Sequence, residues 1–133
     1  MSDRGKYVLW ASLSLLLGGL CYIFLRPDTH VARLFFVDVR IILSDGLICE
    51  ILRFYFPDFC WGFALCLYLM AIYTPKTLGA IICAAVGSGC GCVWELLQYC
   101  RIVQGTGDLI DTAVYLTAGL LAIIINRKVR KRT

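Results

Sequence analysis

Residues 7–25 read YVLWASLSLLLGGLCYIFL, nineteen consecutive positions without a charged side chain. At about 1.5 Å per residue, a helix of that length comes close to the roughly 30 Å hydrocarbon thickness of a bilayer. Three further runs share this character. Phe59 to Thr74 lies between Pro57-Asp58 and Pro75-Lys76, and proline suits a first helical turn and ends a last one. Thr77 to Trp94 is uncharged, its pattern continuing through Glu95 to about Cys100, and Leu109 to Asn126 carries only Asp111. The expectation is an all-α membrane domain spanning 1–133, with transmembrane helices at about 7–25, 58–74, 77–99 and 108–126.

Composition supports this solvent assignment. Of 133 residues, 60% are apolar and 17% charged, with a mean hydropathy of +0.80, more apolar surface than a soluble core of this size hides. A β-barrel would require short strands of alternating polarity, and nothing in the chain alternates in that way. Arg4 and Lys6 ahead of the first run resemble the start of a signal peptide, but the run is too long and three more follow.

Residues 31–56 are the difficult stretch. They are rich in Leu, Ile and Phe yet contain Arg33, Asp38, Arg40, Asp45, Glu50 and Arg53, and a charge at bilayer centre costs about 2.5 to 3.5 kcal/mol. At 100° per residue these charges scatter around the wheel, and Ser44-Asp45-Gly46 signals a turn. The stretch is therefore read as short interfacial helices between the first two spans.

Charge counting orients the bundle. Five of the thirteen Lys and Arg residues lie in the tail 127–133 (Arg127, Lys128, Arg130, Lys131, Arg132), and with Arg4, Lys6 and Lys76 one face carries eight. Arg26, Arg33, Arg40, Arg53 and Arg101 give the other face five. The positive-inside rule then puts both termini in the cytoplasm. The tail is a topological signal that also attracts anionic headgroups, and nucleic acid is not an expected partner.

One polar constellation interrupts the apolar runs. Glu95 and Gln98 are three apart on one helical face, which continues as Gly91, Ser88, Gly87 and Ala84, small residues that admit a neighbouring backbone. After a short loop, Asp108, Asp111, Tyr115 and Gly119 form a matching stripe three or four apart. Asp108 is placed to cap the last helix and Asp111 to complement its positive end. The candidate ligand-binding set is Glu95, Gln98, Arg101, Asp108, Asp111 and Tyr115, with Gly87, Gly91 and Gly119 as packing residues. Adjacent carboxylates are able to share a proton or to hold a divalent cation, for which Glu95, Asp108 and Asp111 are the candidates. Arg101, or Arg26 or Arg53 from the other loop, offers a planar fork for phosphate. The residues do not rank these chemistries.

The order Glu95-x-x-Gln98, a short loop, then Gly105-Thr106-x-Asp108-x-x-Asp111 and an apolar helix with Gly119 resembles the VanZ-like family of bacterial membrane proteins. The Pro57-Asp58 and Trp61 opening is similar to the start of a helix in small members, so the resemblance covers about 57–126. It implies a bacterial cytoplasmic-membrane protein of the cell envelope, linked through the family's namesake to lower teicoplanin susceptibility. Tyr115 and Thr117 depart from the Asn found in this region of many relatives.

Three readings follow: a protein that binds a lipid or lipid-linked phosphate headgroup at the acids, a metal-assisted lipid-phosphate enzyme, and an accessory subunit packed against another membrane protein. The lone His30 and the eight cysteines add no catalytic pattern. Cys at lipid depth is small apolar filler, and a disulfide among Cys49, Cys60 and Cys100 is the open alternative. Trp10, Trp61 and Trp94, with Tyr7, Tyr73 and Tyr99, are read as an interfacial aromatic belt.

Overall fold

The structure, a computed structural model, describes residues 2–26, 46–74 and 76–131. Four helices long and apolar enough to cross a membrane make up the fold, α1 (Asp3–Leu25), α2 (Leu47–Tyr73), α3 (Thr77–Tyr99) and α4 (Leu109–Lys131). Large apolar side chains face outward on every helix: Leu16 is 59% exposed, Ile72 63%, Leu78 71% and Leu120 63%. Such a surface is stable only where hydrocarbon is the solvent. The chain is a multi-pass membrane protein.

The second helix differs most from its expected form. It starts at Leu47 rather than 58, so the described part of the segment expected to be interfacial, 46–56, belongs largely to α2; residues 31–45 lie outside the described residues. The helix runs through Pro57 by widening. Ile51–Tyr55 is a π-helical turn, in which Phe56 N–H donates to Ile51 C=O. In a regular α-helix the Pro57 ring would press on the Arg53 carbonyl and leave it without a donor. A wider turn just before the proline relieves both problems. Two other boundaries also shift outward, while α3 keeps its expected span. Ser2 Oγ accepts from Gly5 N–H at 3.2 Å and starts α1 four residues before Tyr7. α4 continues through the basic residues to Lys131.

α2 is the centre of the bundle, packing on α1, α3 and α4, while α1 only grazes α4. Against α2, α1 presents Tyr7, Ala11, Ser14 and Gly18, a stripe at spacings of three and four. A Cβ at Gly18 would lie 2.6 Å from that of Cys60, and Ser14 Oγ donates to Cys60 C=O at 3.1 Å. Small residues thus bring the two backbones together, and a hydroxyl ties them. Ala64, Cys66, Leu67 and Met70 of α2 are almost wholly buried, with Ala80 and Ala84 of α3 and Ala118 and Ala122 of α4 around them.

At the end where α1 begins and α4 finishes, Tyr7 OH donates to Asn126 Oδ1 at 2.7 Å, both residues being 1% exposed. Tyr7 therefore does not belong to the aromatic belt; it pairs with a buried amide that would otherwise lack a partner. Beside it Arg4 Nε donates to Ala71 C=O at 3.0 Å, satisfying a carbonyl left open at the C-terminus of α2. Trp10, Trp61 and Trp94 are half exposed. All eight cysteines are free thiols.

Candidate functional site

The opposite end, where α1 finishes, α2 begins and the α3–α4 loop turns, collects the acids. Glu95 sits one turn from the end of α3 and is only 6% exposed. Its Oε2 accepts from Asp108 N–H at 3.1 Å, so a glutamate of α3 holds the capping residue of the next helix in place. With its amide turned to satisfy its neighbours, Gln98 donates to the same Oε2 at 3.3 Å and accepts from Trp94 Nε1–H at 3.1 Å. The loop fits this tightly because Gly105 takes a φ of 138°, open to glycine alone at no cost. A Cβ on Gly107 would strike Glu95 C=O and Tyr99 N.

Asp108 caps α4, its Oδ1 accepting from Ile110 N–H at 3.0 Å. Asp111, one turn further, has an Oδ1 atom that is buried and has no hydrogen-bond partner among the described residues. Buried acceptors are nearly always paired, so an orphaned one marks a place where a donor belongs. Asp58 of α2 faces the same space: Asp58, Glu95 and Asp108 all act electrostatically on Asp111, as does Arg26. Tyr115 OH donates to Asp58 Oδ1 at 3.3 Å. The ring of Tyr115 is wedged between α2 and α3, where Gly62 and Gly91 leave room for it. A Cβ at Gly62 would stand 2.7 Å from Tyr115 Cδ1, and one at Gly91 would strike the ring at Cγ, Cδ1 and Cδ2.

Among the described residues, a cation beside the acids comes from the end of α1. Arg26, at the C-terminus of α1, lies between two rings, its guanidinium 5.4 Å from the Tyr22 centroid and 5.2 Å from that of Phe54 in the π-turn. Cation–π contacts of this kind hold the guanidinium in place. Arg26 also acts on Asp58 and Asp111. Arg101 is exposed on the α3–α4 loop at φ 57° and does not join the cluster.

The structure thus brings together Glu95, Gln98, Asp108, Asp111 and Tyr115 and adds Asp58 and Arg26. Asp58 had been visible only as punctuation before a helix. Nothing local ties it to Tyr115, which is 57 positions away. Among the packing residues, Gly87 lies against Cys66 and Gly119 against Ser88 Oγ. Among the described residues no three His, Cys, Asp or Glu side chains are arranged to hold a metal ion. Glu95 and Asp108 are committed to backbone N–H groups instead. No family model, curated protein or solved structure matches the chain.

Proposed function

We propose that this protein binds a polar headgroup presented by the surrounding bilayer, at the cluster formed by Asp58, Asp111 and Arg26 over Glu95, and that it serves the bacterial cell envelope in the manner its VanZ-like motif implies. The unpartnered, buried Asp111 Oδ1 carries this reading. Three helices and a loop converge on it, Glu95 and Tyr115 brace the surroundings, and no protein donor among the described residues reaches it. Binding sites keep such groups open because the ligand completes them. On the basis of the positive-inside count, the cluster faces the outside of the cytoplasmic membrane, where envelope precursors and lipoglycopeptides meet.

The test uses Asp111→Asn and the double change Asp58→Asn with Asp111→Asn, which keep side-chain shape and remove charge. Phospholipid retained per chain after purification in mild detergent should fall at least about tenfold in the double variant, a loss of one charge-assisted hydrogen bond or more. Cells producing it should also lose any shift in teicoplanin susceptibility that the wild type gives, at equal membrane insertion. Unchanged lipid content and susceptibility would refute the reading.

A further inference from the structure

The end of the bundle opposite the acid cluster carries the reverse charge. Arg4, Lys6, Lys76, Arg127, Lys128 and Arg130 gather where α1 and α3 begin and α2 and α4 finish. Among the described residues the acid at this end is Asp3, held by Lys6 at 2.9 Å. The chain between Arg26 and Gly46 leaves and re-enters at the other end, and the residues after Lys131 are Arg132 and Thr133. Arg4 is occupied by the Ala71 and Ile72 carbonyls. Arg127 and Lys128 are exposed and make no hydrogen bond or ion pair with a described residue. A loose tail would spread its charge, but α4 continues unbroken through Lys131. Asn126 and Val129, 1% and 8% exposed, pin its last turns to the bundle, Asn126 through Tyr7. With those two positions facing inward, steps of about 100° turn Arg127 and Lys128 outward, one to either side of the line through Leu116, Leu120 and Ile124. These three side chains are exposed and face hydrocarbon.

We infer that Arg127 and Lys128 form a binding site for one anionic phospholipid of the tail-side leaflet, its phosphate between the two cations and an acyl chain along Leu120 and Ile124. Charge complementarity selects this occupant. A zwitterionic headgroup brings its own cation to an end already rich in them, whereas an anionic one offsets the surplus. The Arg127 guanidinium presents a planar fork to two phosphate oxygens, and the Lys128 ammonium adds a compact charge beside it. The diffuse attraction expected of a basic tail depends on the number of charges. This site depends on their register, which the buried Asn126 and Val129 set. It lies at the opposite end of the bundle from Asp58 and Asp111 and does not rest on the headgroup reading.

The full chain, stripped of native lipid and returned to equimolar phosphatidylglycerol and phosphatidylcholine, is read by native mass spectrometry for bound lipid. Phosphatidylglycerol should be retained about tenfold over phosphatidylcholine. Arg127→Gln combined with Lys128→Gln should bring that ratio toward one at an unchanged unfolding temperature, since both side chains are exposed. Lys76→Gln combined with Arg132→Gln removes the same charge from the same end and should leave the ratio close to that of wild type. Equal retention of the two lipids by wild type would overturn the inference. So would an equal loss of preference in the two double variants, which is the result that a diffuse field of positive charge gives.

Discussion

Gly91→Leu should unfold the protein in detergent at a markedly lower temperature, with a loss of about 3 kcal/mol or more. Overpacking a core site typically costs about 1 to 3 kcal/mol, and more where neighbours have nowhere to go. The Tyr115 ring is such a neighbour. It meets Gly91 on one side and Gly62 on the other, and its hydroxyl is held by Asp58. Rotating it away would break that bond and push it into another helix. The matched control is two positions away, where Gly89 has nothing within 4 Å of an added Cβ. Gly89→Ala should be neutral or gain up to about 1 kcal/mol from helix propensity. Adding Tyr115→Ala to Gly91→Leu should recover much of the loss, the non-additivity expected of residues in contact. Thermal unfolding followed by tryptophan fluorescence separates the cases. Equal behaviour of the Gly89 and Gly91 variants would contradict the packing described.

Glu95→Ala should come next in size, at about 2 to 4 kcal/mol. The change leaves Asp108 N–H and the Gln98 amide without their shared acceptor, the Glu95 carboxylate, which is itself buried. A buried donor left unmatched costs about 1 to 3 kcal/mol, more when its partner was charged. Glu95→Gln keeps an oxygen for Asp108 N–H and should lose only about 1 kcal/mol. Chemical denaturation in mixed micelles of the two variants gives the comparison. If alanine and glutamine are equally tolerated, Glu95 does not hold the start of α4. The Asp58 and Asp111 variants should lose lipid while leaving the unfolding temperature nearly unaltered. Glu95 therefore braces the site, and the two aspartates form it.

The sequence made the spans legible because charge is excluded from long stretches, and a bilayer enforces that exclusion over whole helices. It also showed the face of α3 on which Gly87, Ser88, Gly91 and Glu95 meet their neighbours, since i, i+3 and i+4 positions must coincide on a helix. Two things stayed hidden for physical reasons. Glu50 and Arg53 appeared scattered on a wheel of constant 100° steps, but the π-turn at Ile51–Tyr55 changes the angular step there, so the wheel does not apply. Pro57, read as a helix start, proved to lie inside a helix whose turn had widened to accept it. The second hidden element was pairing at long sequence distance. Asp58 with Tyr115, Arg26 with Phe54, and Tyr7 with Asn126 depend on which helices neighbour one another, and periodicity along one helix carries no information about that. Arg101 seemed better placed for the site than Arg26, being close to the acids in the chain. The loop turns it outward.

A map of the protein in a lipid nanodisc tests the central claim most directly. Headgroup density should stand against Asp111 Oδ1, beside Asp58 and Arg26. A cluster that holds only water molecules would contradict the account.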